Sequence, residues 1–305
     1  MTATETRATG NTRATGIRTT RGYRVFQAVN ALALTLVVVL TLFPFVNILA
    51  RSLSDEHEIR AGHVNLLPRG LNFETYRHVM SDPIFWINYR NTVFYTVAGT
   101  AVSLVLTTCY AYVLSKRQLR GRGLLVGIAV FTMFFNGGLI PNYVLVSELG
   151  LRNTVWAIVL PNAISVFNLL VMKAFFESLP TELEEAAAVD GSGTYGTLWR
   201  IVLPLSKAVL ATMLLFYAVS YWNSWFAGFL YMDRQELFPV TVYLRNLIAG
   251  ASGGTDQTAT SEAGMQIAAS IQAVTIVLTM LPVMLVYPFI QRFFVSGVML
   301  GAVKG

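Results

Sequence analysis

Six long stretches of this sequence contain no charged residue, and charged residues lie between them. Each stretch is 20 to 29 residues long. A helix needs about 20 apolar residues to cross the hydrocarbon core of a membrane. The pattern therefore predicts an all-α membrane protein with six transmembrane helices. The six uncharged runs, numbered in chain order, are residues 25–50, 91–115, 123–147, 153–172, 208–232 and 263–291.

Composition supports this class, because only 12% of the 305 residues are charged and 54% are hydrophobic. Soluble domains carry about 25% charged residues. Residues 1–24 are different: they hold five arginines, one glutamate and few apolar residues, which predicts a disordered, basic, cytoplasmic tail. A signal peptide is the alternative, but its apolar core is about 7–15 residues long. Run 1 is longer, so we expect it to be an uncleaved first span. Residues 25–305 then form one six-span domain.

The distribution of basic residues predicts the orientation in the cell membrane. Residues 115–123 contain four basic residues and no acidic one, and such loops are typically cytoplasmic. Alternation of the spans then places both termini and the segment between runs 4 and 5 in the cytoplasm. Residues 51–85 and 231–266 become the large outer loops. The basic residues of the cytoplasmic loop are Lys116, Arg117, Arg120 and Arg122.

The segment between runs 4 and 5 is strongly acidic. Residues 177–190 contain five carboxylates and no basic residue. A charged side chain at the centre of a membrane costs about 2.5–3.5 kcal/mol even on the mildest scale. This segment must therefore lie in water.

The same segment has the pattern of a short helix that ends sharply. Thr181 and Glu184 have the spacing of a capping box, in which each side chain binds a free backbone N–H. Gly191, after Asp190, favours a helix end, because glycine readily adopts the left-handed conformation. Small alanine side chains on this helix would let another backbone approach closely. We therefore expect a short acidic helix that docks into a partner.

Three short motifs in this region, in this order, resemble the EAA signature of the membrane subunits of ABC importers. They are Glu185-Ala186-Ala187, Asp190-Gly191 and Ile201-x-Leu203-Pro204. The resemblance implies a type I ABC importer permease fold in which residues 179–205, here called the coupling segment, dock into a separate ATPase. An ordinary amphipathic surface helix is the alternative. The coupling residues that the resemblance implies are Glu184, Glu185, Ala186, Ala187, Asp190, Gly191, Leu203 and Pro204.

The C-terminal stretch resembles carbohydrate permeases of this family. It contains Gln291-Arg292-Phe293-Phe294, Gly297, and Gly301-x-x-Lys304-Gly305, and residues 43–54 resemble permeases for oligosaccharides. The resemblance implies that the chain forms half of a translocation pore with a homologous second permease. The other partners it implies are ATP-binding cassette subunits, which would bind the ATP, an extracytoplasmic solute-binding protein and membrane lipid.

Other functions fit less well. An ion-driven secondary transporter usually has ionisable residues within its spans, and the six runs contain none. A permease for amino acids or peptides and a scaffold that only recruits a partner stay open. The sequence shows no catalytic set, no P-loop motif and no compact metal-ligand spacing, so we expect no enzyme activity, cofactor, metal or nucleic-acid partner.

Two groups of residues within the runs are candidates for the substrate path. Asn136 and Gly137 interrupt run 3, where glycine and proline favour a broken helix that lines a cavity. In run 5, Trp222, Asn223 and Trp225 place an amide between two indoles. The indoles could stack on a sugar ring or form the aromatic belt at a membrane surface, and the sequence favours neither interpretation.

Overall fold

The computed structural model describes residues 21–253, 270–286 and 288, and these residues form helices and connecting loops without a β-strand. Residues 1–20 of the predicted tail and residues 289–305 of the C-terminal signature lie outside the described residues. The α-helices are α1 (Arg21–Ser52), α2 (Glu56–Arg60), α3 (Glu74–Ser81), α4 (Pro83–Ser115), α5 (Arg122–Phe134), α6 (Leu139–Glu148), α7 (Val155–Val159), α8 (Val166–Glu177), α9 (Thr181–Val189), α10 (Thr194–Thr197), α11 (Leu203–Leu205), α12 (Lys207–Trp222), α13 (Trp225–Tyr231), α14 (Val240–Gly253) and α15 (Ser270–Val286).

The chain divides into two compact units, Met1–Asn47 and Ile48–Gly305. In the first unit, α1 carries apolar side chains on all sides, as suits a helix in hydrocarbon. In the second unit, α4 is the central helix and packs against α7, α8, α12 and α14.

The six predicted runs all contain helices, but within the described residues only α1 and α4 are single helices long enough to span a membrane. Three further helix pairs pass the same test only when each bent pair is taken as one span. Run 5 holds α12 and α13, which are separated at Asn223-Ser224. For run 6 the described part is α15, a shorter apolar helix.

Two of the three bends lie where the sequence weakens the helical hydrogen-bond ladder. Helices α5 and α6 meet at 113°, and Gly138 between them has a φ of +90° that favours glycine. The helical stretches on either side of Ser206 meet at 85°. Pro204 just before this bend has no backbone N–H to donate, and a π-helical turn, Leu198–Val202, precedes it. Proline and π-turns are common causes of kinks.

Polar side chains pair inside the bundle between α4 and α12. Ser103 and Tyr221 share a hydrogen bond of 2.8 Å, and Thr107 and Tyr217 share one of 2.6 Å. Such bonds between helices satisfy polar groups that lipid could not. Gly99 lies at the same interface, where a β-carbon would come within 2.8 Å of the Tyr221 ring. The bundle therefore depends on polar pairs and a close approach as well as on apolar packing.

At the start of α4, loops and α14 are joined by further hydrogen bonds. Asp82 accepts from the backbone N–H of Ile84 at 2.9 Å, which caps α4. Its other oxygen accepts from the Tyr243 hydroxyl of α14 at 2.7 Å. Burial and the Asp82 carboxylate raise the pKa of Tyr243, as expected for a hydroxyl that donates to a carboxylate.

Candidate functional site

The coupling segment forms four successive helical pieces: α9, α10, the π-helical turn and α11. Only Ser178, Leu179 and Pro180 separate α9 from the end of α8. At its other end, the segment leads through the bend at Ser206 into α12. Short connections therefore join α9 to α8 on one side and, through the rest of the segment, to α12 on the other.

The start of α9 differs from the prediction. Helix α9 begins at Thr181, its N-cap residue is Pro180, and no side chain caps it. The predicted capping box of Thr181 and Glu184 is therefore wrong. Thr181 lies one position too far into the helix, and the Glu184 carboxylate binds the ammonium group of Lys116 instead.

The end of α9 agrees with the prediction. Asp190 is the C-cap residue, and its backbone N–H donates to the carbonyl of Ala186 at 3.0 Å. Gly191 follows with a φ of +78°, and the N–H of Ser192 returns to the carbonyl of Ala187 at 2.8 Å. This is the left-handed glycine cap that the sequence predicts, and it sets the direction in which α10 leaves α9.

The faces of α9 are unequal. Ala187 is the buried residue of this helix, while Glu185, Ala186 and Asp190 are exposed. Large apolar side chains next to this exposed face are open as well: Val189 is 88% exposed and Tyr195 is 82% exposed. Exposed apolar groups gathered around small residues are typical of a surface that binds a partner protein.

Two ion-pair groups hold the coupling segment and the end of α8 against the connection between α4 and α5. Lys116 pairs with Glu184 of α9, and Arg122, the first residue of α5, pairs with Glu177 at the end of α8. Glu177 also binds Lys173, one helical turn earlier, at 3.0 Å. The basic loop and the acidic segment therefore lie at the same end of the molecule, as the sequence predicts.

The remaining two coupling residues lie in the approach to α12. Leu203 is partly buried and packs on the apolar cluster around Leu198 and Val202. Pro204 is exposed beside the bend at Ser206. These two residues lie next to the bend, whereas Glu185, Ala186 and Asp190 belong to the exposed surface at α9.

A cleft of about 710 Å³ lies where run 3 is broken. Asn136 and Gly137 line it, and the Asn136 side-chain oxygen accepts from the N–H of Gly138 at 3.0 Å and the amide of Asn142 at 3.2 Å. We call this space the polar cleft after the asparagine amides in its wall, although most of its lining is apolar. Its other walls come from α6, α13 and the 3₁₀ turn Leu160–Asn162.

The three candidates of run 5 lie elsewhere, outside the lining of the polar cleft. Trp222 is buried; its indole N–H donates to the carbonyl of Thr279 at 3.2 Å, and its ring packs edge-on against Tyr89. The Asn223 amide donates to the carbonyl of Val219 within its own helix at 2.9 Å. Trp225 is 41% exposed. Their assignment to the substrate path stays a prediction.

Sequence reasoning missed several residues of the polar cleft. Asn142, Asn162, Phe226 and Tyr231 line it together with the predicted residues. Asn162 follows Pro161 in run 4, a proline-containing break like the one noticed in run 3. The same proline rule, applied to run 4, could have found Asn162.

Residues 123–300 match the family described as "Binding-protein-dependent transport system inner membrane component". The chain belongs to this family. It is an ABC transporter permease, a membrane transport component and not an enzyme, and its helices make it a multi-pass membrane protein.

Individual relatives agree with this permease family. Protein LplC of Bacillus subtilis is 42% identical, and the match covers 94% of this chain and 97% of LplC. The polygalacturonan/rhamnogalacturonan transport system permease protein YtcP of the same species is 40% identical, with 89% and 96% coverage. A crystal structure of a bacterial ABC transporter involved in the import of the acidic polysaccharide alginate contains a similar chain, with a TM-score of 0.83, 35% identity, and 90% and 98% coverage.

Proposed function

We propose that this permease forms half of the pore of an oligosaccharide importer and is driven by a separate ATPase that docks on α9. The observation that carries this proposal is the exposed face of α9. Glu185 and Ala186 are open beside the buried Ala187, and Val189 and Tyr195 extend the exposed surface. A carboxylate beside apolar groups suits a partner cleft that contains a basic residue.

The walls of the polar cleft support a sugar as the cargo. Its lining consists of amides, aromatic rings and aliphatic groups, and the residues that the structure shows there include no charged side chain. Amides can exchange hydrogen bonds with hydroxyl groups, and aromatic faces offer rigid contact surfaces. The names of YtcP and the alginate transporter support oligosaccharides that contain uronic acids. We therefore propose Asn136, Gly137, Asn142 and Asn162 as part of the sugar path.

The assembly that we propose has four kinds of component. This chain pairs with a homologous second permease, two ATP-binding cassette subunits bind below the membrane, and an extracytoplasmic solute-binding protein delivers the sugar. Both termini and the coupling segment face the cytoplasm, where the ATP is. ATP-driven closure of the ATPase pair moves α9 and rocks the spans between inward-facing and outward-facing states.

Reconstitution tests this proposal. The complete importer in lipid vesicles should take up oligogalacturonides only with its binding protein and ATP. Glu185→Ala should lower uptake at least tenfold, because the carboxylate meets the ATPase, whereas the control Glu148→Ala at the end of α6 should stay within twofold of the wild type.

The same assay separates the alternatives. Uptake of peptides instead of sugars would show that the cargo is a peptide. Uptake that continues without ATP but stops with an ionophore would indicate a secondary transporter. Full uptake with Glu185→Ala would contradict the proposed docking surface.

A further inference from the structure

The two neighbouring glutamates of α9 point to different surroundings. Glu185 is exposed, while the Glu184 side chain is only 32% exposed and binds Lys116. Adjacent residues on a helix differ in direction by about 100°, so they face different neighbours. Glu184 therefore faces its own chain, whereas Glu185 stays available to another.

Lys116 connects Glu184 to the end of α4. It is the C-cap residue of α4, and its ammonium nitrogen lies 3.9 Å from the centre of the Tyr112 ring. Tyr112 is buried and packs edge-on against Phe176 of α8. Contact with an aromatic face adds to the ion pair and fixes the position of the lysine.

Arg122 makes the second connection, on the other side of the short linker formed by residues 178–180. Its guanidinium binds Glu177 just before this linker, and its Nε donates to the carbonyl of Leu114 at 2.7 Å. The side chains of Arg122 and Glu177 are 28% and 24% exposed. Partly buried pairs are screened less by water and salt than surface pairs.

Helix α5 extends from this ion pair to the polar cleft. Arg122 is its first residue, and Phe134, its last, precedes the cleft residues Phe135 and Asn136. A helix of 13 residues is about 20 Å long. Helix α5 therefore connects Arg122 to the cleft without a break.

We propose that Lys116 and Arg122 are positioning residues: Lys116 straps the coupling segment to the end of α4, and Arg122 holds the end of α8 against α5. Movement of α9 then reaches the polar cleft through α5 as well as the bundle through α12. Two of the three carboxylates of α9, Glu184 and Glu185, then have separate tasks. Glu185 receives the force from the ATPase, and Glu184 passes it to Lys116. This inference rests on the proposed function.

A charge swap in the complete reconstituted importer tests the strap. The ratio of oligogalacturonide uptake to ATP hydrolysis is measured in the same vesicles for Lys116→Glu, Glu184→Lys and the double variant. Each single change should lower the ratio at least fivefold, because like charges now face each other. The double variant should return to within twofold of the wild type, since the pair is restored in reverse.

Arg117→Glu is the matched control. Arg117 is the next residue of the same loop, is exposed, and makes no ion pair within the described part of the chain. The ratio of uptake to ATP hydrolysis in Arg117→Glu should stay within twofold of the wild-type ratio. The neutral variant Glu184→Gln keeps the volume of the side chain, so it can be measured even where a reversed charge prevents assembly. Its ratio of uptake to ATP hydrolysis should fall at least threefold.

The outcomes separate this inference from the proposed function. A wild-type importer without ATP-dependent sugar uptake would refute the proposed function. An active wild type whose ratio is unchanged in Glu184→Gln would overturn the strap alone. Failure of the double variant to recover, or an equal loss with Arg117→Glu, would also overturn it.

Discussion

At the scale of single residues, Gly99 lies where α4 comes closest to the Tyr221 ring of α12. The Tyr221 hydroxyl bonds both Ser103, at 2.8 Å, and the carbonyl of Val159, at 3.2 Å, so the ring is held in place. A β-carbon at position 99 would lie 2.8 Å from three ring atoms. The sequence gives no sign of this contact, because it joins residues far apart in the chain.

Gly99→Ala should therefore destabilise the protein. Overpacking of this kind costs about 1–3 kcal/mol, and the held ring cannot turn away. Thermal unfolding of the purified protein in detergent checks this expectation. Gly127→Ala on α5 is the control, because a β-carbon there meets no atom within 4 Å; an equal loss in both variants would contradict the explanation.

Asp233 joins the loop after α13 to the loop before α7. Its carboxylate accepts from the Asn153 amide at 2.8 Å and from Arg152 at 2.6 Å. The hydrogen bond from Asn153, together with Arg152, lowers the pKa of Asp233 below its ordinary value of 3.8. Since the folded state favours the charged form, this link stabilises the fold at neutral pH and is lost as the pH falls through the lowered pKa.

Asp233→Asn should consequently remove a pH-dependent part of the stability. The unfolding temperature of the wild type should exceed that of the variant at pH 6, and the difference should shrink as the pH falls below about 4. Thermal unfolding curves of both proteins from pH 6 to pH 3 measure this difference in unfolding temperature. A constant difference over this range would show that Asp233 does not act through its charge.

At the scale of elements, local rules predicted some features and missed others. The glycine cap at Gly191 and the break at Gly137-Gly138 follow from backbone preferences of the residues themselves, and both are confirmed. The capping box at Thr181 was wrong, because Glu184 binds Lys116, 68 positions earlier in the chain. A local pattern cannot include a partner that only the tertiary fold supplies.

The predicted spans show the same limit of local sequence patterns. Uncharged runs correctly predict where the apolar helices lie, because the membrane excludes charge along the whole length of a span. The run lengths do not reveal bends, since a bent pair and a straight helix can contain the same number of apolar residues. In the polar cleft, Asn136 and Gly137 came from the sequence, while Phe226 came only from the fold, which brings α13 beside the break.

Helix α9 also depends on the turn that follows it. Gly191→Val should lower the ratio of uptake to ATP hydrolysis at least fivefold, because a β-branched residue is strained at a φ of +78° and the segment after it would be redirected. Gly191→Asn is the matched control, since asparagine tolerates this conformation. Equal ratios for the two variants would contradict this role of the turn.

At the scale of the whole molecule, charged contacts mark the two ends of the bundle. Lys116, Arg122 and the carboxylates of the coupling segment gather where α4 ends, and Asp82 binds Tyr243 where α4 begins. Between them lie about 50 Å of helix, from 33 residues. We propose that a separate ATPase holds the end of the bundle that carries the coupling segment.

Site-directed cross-linking tests this claim most directly. With Cys109 replaced by serine, Ala186→Cys on the exposed face of α9 is treated with a short cysteine–lysine cross-linker in membranes that contain the whole importer, and Glu148→Cys is the control. The account predicts a product between position 186 and the ATP-binding subunit, and none from position 148. Cross-linking of position 148, and not of position 186, to the ATP-binding subunit would contradict this claim. The absence of any such product from both positions in an assembled importer would contradict it as well.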